Sequence, residues 1–402
     1  LKGKHLIEAG RQKALDEELK QYDWSQGAGP KLRPLLLRGV GVHHAGVLPK
    51  YRRIVEDLFQ RKLLSIATCT ETLAAGINLP ARRVVIRDVH RYENGGNVSI
   101  PVLEIKQMCG RAGRPRYDPY GEAILISRDE EERSFLMDNY LLGEPEEIYS
   151  KLGSEPVLRS HVLATIATGT ASSRDSLMDF MNSTFFAHQT TMAGLEDATD
   201  NVLGFLEREG MVRTEDHRIQ ATFFGRRVSD LYIDPLTAVK LRDALRSFKP
   251  SSSYFGLLHA VCSSPDMMTM YLKRSDYQWV EEVLLAREQE LLLKPPENLD
   301  QYDFYLAEVK TACSLDDWVQ EMEEDDLLKR FGMGPGDLRN KVEVGEWLVY
   351  SMRELANIFN KDAYPMLTEL MVRIRYGVKP ELLDLVRLRG IGRARARSLH
   401  NH

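Results

Sequence analysis

The chain has 402 residues, 43% of them hydrophobic, and carries a formal net charge of −5, so its length predicts roughly two to four domains with filled cores. No apolar run approaches the ~18 residues of a membrane span and the first twenty residues lack a signal-peptide core, so we expect a cytoplasmic protein. The four cysteines lie far apart without metal-ligand spacing, which argues against a zinc site or a disulfide framework and predicts free thiols and no bound metal.

Residues 1 to about 150 alternate helical patterns with short apolar runs at 63–68, 83–86 and 123–126. Runs of this length, separated by helices, are typical of buried parallel strands. The first part of the chain is therefore predicted to be an α/β domain.

Within that domain, a segment rich in hydroxyl and small side chains follows the first predicted strand, with the sequence A-T-C-T-E-T-L-A-A-G-I-N-L-P at 67–80. The hydroxyls of Thr70 and Thr72 are suited to hold a nucleic-acid backbone, and Gly76 allows a nucleotide to approach closely. Upstream stands a tandem pair, His43 and His44, in V-H-H-A-G. A tandem histidine taken alone is more often structural than functional.

The segment 87–102 predicts a β-hairpin, because N-G-G-N at its centre is flanked by β-prone residues that include Tyr92. Its simplest interpretation is a surface hairpin without a function.

Two arginines three residues apart follow in Q-M-C-G-R-A-G-R-P, each beside a glycine. Guanidinium groups stay protonated and present planar donor forks, so Arg111 and Arg114 together can neutralise charge on a phosphoryl group during its transfer. No G-x-x-x-x-G-K loop followed by Ser or Thr occurs in the sequence, so these residues supply only the arginine side of a nucleotide site.

After residue 150 the pattern becomes mainly helical. A helix through Leu195 to Leu206, a glycine stop at Gly210 and two β-prone segments around 215–217 together predict a winged helix, with an unrelated small α+β domain as the alternative. Amphipathic segments at 279–293, 304–319 and 337–359 then predict a helical bundle.

The third of these helices carries Arg339, Lys341 and Trp347. Arg339 and Trp347 are eight residues apart, about two turns, so both fit along one helix face, where they are suited to grip a nucleic-acid strand. A tryptophan on an amphipathic helix is more often a core residue.

At the end of the chain, L-R-G-I-G-R resembles a helix-hairpin-helix, in which the N–H groups at Gly390 and Gly392 meet a phosphate and Arg393 lies in a basic cluster.

These motifs in combination resemble the archaeal Hjm-type DNA helicases of the Ski-two-like branch of superfamily 2, whose animal relatives are HELQ and the helicase part of DNA polymerase theta. The arginine pair resembles motif VI, the hydroxyl-rich segment resembles motif V, and H-H-A-G is an element of that branch. The resemblance extends essentially from end to end.

The resemblance implies a domain order. Residues 1–150 would form the second RecA-like domain, 151–247 a winged helix, 248–377 a helical ratchet domain, and 378–402 the start of a truncated helix-hairpin-helix. The first RecA-like domain, which carries the Walker motifs, is expected to lie in cis outside these residues.

The resemblance also implies an activity, 3′-to-5′ ATP-dependent unwinding of forked or stalled-replication DNA in a nucleoid-associated protein, with ATP and Mg²⁺ as cofactors and replication or repair proteins as partners. We expect the isolated chain to bind nucleic acid without ATP turnover. The implied catalytic residues are Gln107, Arg111 and Arg114, and the implied nucleotide-binding residues are Gly76, Asn78, Gly110, Arg111 and Arg114. The implied DNA-binding residues are His43, His44, Thr70, Thr72, Tyr92, Arg339, Lys341, Trp347, Gly390, Gly392 and Arg393.

Two alternatives stay open at this point. An RNA helicase of the Ski-two-like family would carry the same motifs V and VI, since these do not distinguish ribose from deoxyribose. A non-enzymatic nucleic-acid-binding fragment is the second alternative.

Overall fold

A computed structural model describes residues 6–25, 28–44, 46–70, 81–93, 96–113, 118–296 and 298–402. The chain divides into two compact units. The first comprises residues 1–148 with 334–337, and the second comprises residues 149–333 with 338–402.

The first unit contains short strands and helices in alternation. Its helices are α1 (Ala9–Leu19), α2 (Gly29–Leu36), α3 (Pro49–Gln60), α4 (Val102–Cys109) and α5 (Glu130–Leu136), the last continuing into a π-helical turn at Met137–Leu141. Its strands are β1 (Val40–His43), β2 (Ile66–Cys69), β3 (Arg83–Ile86), β4 (His90–Glu93), β5 (Gly96–Ser99) and β6 (Glu122–Leu125).

The helix α3 shows how the sequence produces this packing. Pro49 occupies its first turn, where the missing N–H has no intrahelical partner. Apolar side chains then recur at helical spacing, and Tyr51, Ile54 and Leu58 are buried in a core shared with α1 and α2.

Two parallel strand pairs confirm the predicted strand direction. Strand β1 pairs with β2 in the register Val40 to Ile66, and β3 pairs with β6 in the register Arg83 to Glu122. The predicted burial was wrong for three of these strands, since Val85 is 53% exposed. A parallel pair is buried only where both faces are covered. Among the described residues, α4 covers one face of β3 and β6, and the other face is open.

The second unit begins with α6 (Glu155–Ala167), α7 (Arg174–Asn182), α8 (Phe185–Gln189) and α9 (Met192–Arg208), followed by β7 (Val212–Glu215), β8 (Arg218–Ala221), α10 (Phe223–Leu231) and α11 (Pro235–Ser247). Gly210 follows α9 with φ +72°, as predicted for a helix stop. The turn between β7 and β8 is Asp216-His217, and both residues have positive φ, which suits a two-residue hairpin. The predicted helix, stop and hairpin are confirmed.

Beyond residue 250 the described residues form helices only. They are α12 (Tyr254–Cys262), α13 (Tyr277–Arg287), α14 (Tyr302–Val319), α15 (Glu324–Phe331), α16 (Pro335–Phe359), α17 (Tyr364–Tyr376), α18 (Leu383–Val386) and α19 (Arg393–His400). The predicted helical bundle is confirmed, although α13 ends at Arg287, six residues before the predicted end. At this end of α13, Arg287 pairs with Glu290 and Asp316.

No helix in the described part of the chain is long and apolar enough to cross a membrane. All four cysteines are unpaired, and Cys262 and Cys313 are buried. Among the described residues, no group of histidine, cysteine and carboxylate side chains is arranged to hold a metal ion.

Candidate nucleotide and nucleic-acid sites

The loop that carries the arginine pair follows α4 and is held against the segment that follows residue 80. The Ala81 N–H donates to the Arg111 carbonyl at 3.0 Å, and the Gly113 N–H donates to the Ala81 carbonyl at 2.7 Å. Ala81 and Ala112 thereby form a parallel bridge. Ala81, which follows the hydroxyl-rich segment in the sequence, is therefore adjacent to the arginine loop.

Glycine is required in this loop for two reasons. Gly113 has φ +92°, a conformation that side chains disfavour. A Cβ on Gly121 would lie 2.3 Å from the Gly113 nitrogen, so any side chain at Gly121 would clash with the backbone of the loop. A side chain at either position would displace the arginine loop.

The helix α4, which presents Gln107, is fixed at both ends. The Glu146 carboxylate accepts from the N–H groups of Val102 at 2.5 Å and Leu103 at 3.2 Å, and the bond from Val102 lowers the pKa of Glu146. Lys106, in the last turn, donates to the Gly143 carbonyl. Gln107 is exposed on this anchored helix.

Only some of the candidate nucleotide-binding residues are among the described residues. Gly110 closes α4, and Arg111 is half-buried and makes contacts within the unit. Thr72, Gly76, Asn78 and Arg114 lie outside the described residues.

The tandem histidines have different surroundings. His43 is buried, and its Nε2 lies 2.8 Å from Glu56 Oε1 on α3. The His44 Nδ1 accepts from the Gly46 N–H at 3.1 Å. Thr70 continues β2, and its N–H donates to the His43 carbonyl at 3.4 Å. The placement of His43 favours the structural alternative, while the side chain of His44 is half-buried.

The predicted hairpin is present as β4 and β5. Glu93 pairs with Gly96 and Tyr92 pairs with Asn97. Residues 94 and 95 lie outside the described residues. Arg91 Nη1 lies 2.7 Å from Glu104 Oε2 on α4, which fixes the hairpin to the helix that precedes the arginine loop.

On α16 the three predicted DNA-binding residues differ in exposure. Arg339 is exposed and pairs with Glu343 at 2.8 Å. Trp347 is half-buried, and its indole N–H donates to the Leu231 carbonyl at 3.1 Å. Lys341 is only 9% exposed and donates to the Met268 carbonyl at 2.6 Å. The resemblance implied Lys341 as a DNA-binding residue, and here its amine bonds to a backbone carbonyl. Helical spacing alone does not show which face of α16 a neighbouring loop covers.

The C-terminal glycines lie between α18 and α19. Gly390 has φ +82°, and Gly392 precedes the first turn of α19. Arg393 is turned toward protein instead of solvent: it donates to the Met322 carbonyl at 2.8 Å and lies over the Trp318 ring at 5.1 Å. Burial lowers the pKa of Arg393.

A buried ionic network was missed by the sequence reasoning. Arg159 on α6 donates to both carboxylate oxygens of Asp234, at 2.6 and 2.8 Å, and both residues are buried. The Asp266 carboxylate accepts from the Asp234 N–H at 2.9 Å, and burial raises the pKa of Asp266. The sequence signal was Asp234 before Pro235, an N-cap followed by proline at the first helical position.

Comparison with known protein families identifies two regions of the chain. A family described as archaeal helicase, domain 4, matches residues 255–377, and a helix-turn-helix domain family matches residues 121–213.

Three relatives are similar over most of the chain. The ATP-dependent DNA helicase Hel308 of Methanocella arvoryzae is 45% identical over 378 residues, which is 92% of this chain and 51% of the relative. The proteins of the same name from Pyrococcus horikoshii and Pyrococcus abyssi are each 39% identical, over 96% and 92% of this chain and 54% and 52% of theirs. The chain spans about half the length of the curated relatives it matches.

Proposed function

The chain is homologous over 92–96% of its length to the archaeal Hel308 DNA helicases, and we propose from this that it is the C-terminal part of an ATP-dependent DNA helicase. In this proposal residues 1–150 are the second RecA-like domain, 151–247 the winged helix, 248–377 the ratchet domain and 378–402 the start of a helix-hairpin-helix.

The backbone pairing of Ala81 with the arginine loop carries this proposal. It brings Ala81, which follows the segment that resembles motif V, next to the segment that resembles motif VI. In the proposed site, Arg111 and Arg114 contact the γ-phosphate, with Gln107, Gly110, Gly76 and Asn78 around the nucleotide. When bound with Mg²⁺, ATP supplies the phosphoryl group whose transfer these arginines assist.

The first RecA-like domain of the helicase is proposed to supply the opposite, Walker-bearing side of the nucleotide cleft. This division accounts for the absence of a Walker A sequence from the 402 residues.

The β4–β5 hairpin is proposed to part the duplex, with Tyr92 near its tip. Its anchor to α4 through Arg91 and Glu104 suits this role, because a wedge must be rigid relative to the nucleotide loop. The released strand then passes the winged helix and α16, in the 3′-to-5′ direction, on forked DNA.

An RNA helicase of the Ski-two-like family is the second candidate function. Two observations favour DNA. Helix α11 of the winged helix is followed directly by α12, the first helix of the bundle, without an inserted domain of the kind found in the RNA branch. The relatives are also named DNA helicases.

The test is to join the chain to the preceding half of the Methanocella arvoryzae helicase and measure ATP hydrolysis with and without single-stranded DNA. We expect DNA-stimulated hydrolysis from the joined protein, binding without hydrolysis from the chain alone, and a loss on the order of 10³-fold or more on Arg111→Ala. The matched control is Arg128→Ala, which removes an exposed arginine from the same unit. Stimulation by RNA instead of DNA would favour the second candidate, and hydrolysis unaffected by Arg111→Ala would refute the arginine assignment.

A further inference from the structure

Tyr232 has an unusual backbone and an unusual exposure. It closes α10 in the left-handed conformation, with φ 57° and ψ 23°, and its residue is 88% exposed. Glycine is the residue that this position ordinarily favours, and a bulky side chain there is strained. The ring contacts solvent, so packing of the ring does not compensate for the strain.

The backbone on both sides of Tyr232 is fixed. The Leu231 carbonyl accepts the indole N–H of Trp347 at 3.1 Å. On the other side Ile233 is buried, and Asp234 is held by Arg159 through two hydrogen bonds. Tyr232 is therefore displayed on a rigid support, and its conformation is set by its neighbours.

A second exposed segment belongs to the same neighbourhood. The Asp266 carboxylate accepts from the Asp234 N–H, and two residues later the Met268 carbonyl accepts from Lys341 on α16. Met268 is 79% exposed and Tyr271 is 67% exposed. Trp347 and Lys341 on α16 thus hold the backbone next to Tyr232 and at Met268, and these two side chains face solvent.

Exposed basic residues follow Tyr271 in the sequence, and another precedes Lys341 by two residues on α16. Lys273 and Arg274 follow Tyr271 and are exposed, and Arg339 is exposed on α16 itself. Exposed aromatic rings interleaved with cations are the combination that binds single-stranded nucleic acid without sequence preference, since bases stack on the rings and phosphates meet the cations. Strain retained at an exposed residue is typical of a functional position.

We propose that Tyr232 is a base-stacking residue for single-stranded DNA, on a platform completed by Met268 and Tyr271. This inference rests on the proposed function and extends it: the polar groups of Trp347 and Lys341 position the platform, and the Tyr232 ring stacks on a base.

The test compares three forms of the full chain, wild type, Tyr232→Gly and Tyr232→Phe, by fluorescence anisotropy. The probes are a labelled oligothymidine and an abasic strand of the same length. We expect Tyr232→Gly to bind the oligothymidine roughly 5- to 150-fold more weakly, to bind the abasic strand like wild type, and to melt about 2–4 °C higher because the strain is relieved. Tyr232→Phe retains the ring and should bind like wild type.

The control is Phe185→Ala, which removes a half-exposed aromatic ring from α8 and should change neither affinity. Equal oligothymidine binding by wild type and Tyr232→Gly would overturn the stacking role while leaving the proposed function intact. A lower melting temperature for Tyr232→Gly would show that the ring packs, which also overturns it. A wild-type chain that binds neither probe would overturn the proposed function together with this inference.

Discussion

Replacing His259 by phenylalanine should raise the unfolding free energy of the chain relative to wild type as the pH falls from 6.5 to 4. His259 lies on α12, fully buried, with its ring 5.2 Å from that of Tyr305 in an edge-to-face arrangement. Neither ring nitrogen has a hydrogen-bond partner among the described residues. This buried environment accepts the neutral imidazole of His259 and destabilises its protonated form.

The magnitude follows from the pKa. Burial, assisted by the charge of Lys240, lowers the pKa of His259 from 6.5 to about 4. Because the unfolded chain takes up a proton below pH 6.5 and the folded chain does not until about pH 4, stability is lost as the pH falls through this window. At pH 4 the lowered pKa of His259 reduces the unfolding free energy by about 3 kcal/mol relative to neutral pH.

Glu308 on α14 has the opposite dependence. Burial raises its pKa from 4.5 to about 7, although Lys240 lies 3.6 Å away and opposes the shift. The folded chain holds this proton where the unfolded chain has lost it, so the stabilisation is complete below pH 4.5 and is lost as the pH rises to about 7. Between pH 4.5 and 6.5 the contributions of His259 and Glu308 to the pH dependence of stability offset each other in the wild type. Substituting one of the two residues reveals the contribution of the other.

The assay is denaturant unfolding as a function of pH, followed by tryptophan fluorescence, because three of the four tryptophans lie in the second unit. The stability of His259→Phe relative to wild type should rise by about 3 kcal/mol as the pH falls from 6.5 to 4. The control His161→Gln removes an exposed histidine from α6 and should show no such trend. A difference between His259→Phe and wild type that is constant across this range would refute the reasoning.

Three further predictions concern the candidate site and its supports. Trp347→Ala should lower stability by about 3 kcal/mol, because the indole packs on the core and bonds to Leu231, and should weaken single-strand binding. Trp347→Phe should retain most of the packing and lose the bond to Leu231; calorimetry and anisotropy measure the two effects. Asp234→Ala should destabilise the chain by about 3–5 kcal/mol, because the buried Arg159 loses both bonds to Asp234 and keeps only the exposed Glu155, and a melting temperature within 2 °C of wild type would contradict this. Replacing residues 92–98 by a short Gly-Ser turn in the joined helicase should abolish unwinding of a fork and spare DNA-stimulated ATP hydrolysis; normal unwinding would rule out the hairpin as the separating element.

Local patterns allowed correct prediction where the determining contacts are close in sequence. The stop at Gly210 and the Asp216-His217 turn depend on backbone conformations that neighbouring residues specify, and both are present. The hairpin of β4 and β5 was predicted for the same reason, from the turn residues at its centre. The assignment of the α/β domain to the RecA-like fold came from resemblance and stays a proposal.

Contacts between distant segments could not be obtained from periodicity. The burial of strands depends on which helices cover them, and the open face of β3 was not foreseeable from an apolar run such as 83–86. Tyr232 carries no sequence signal of its left-handed conformation. That conformation is maintained by Trp347, 115 residues further along the chain, through the Leu231 carbonyl one residue earlier.

The side chains of α16 show why residue type alone does not assign a DNA contact. Lysine and tryptophan are suited to bind phosphates and bases, but each can donate only where its hydrogen atoms point. Lys341 directs its amine to Met268, and Trp347 directs its N–H to Leu231, so both polar groups are committed to backbone carbonyls. The indole faces of Trp347 keep the capacity to stack, whereas the amine of Lys341 would have to release Met268 to reach a phosphate. If DNA passes α16 as proposed, stacking on Tyr232 and Trp347 should contribute more to affinity than Lys341 does.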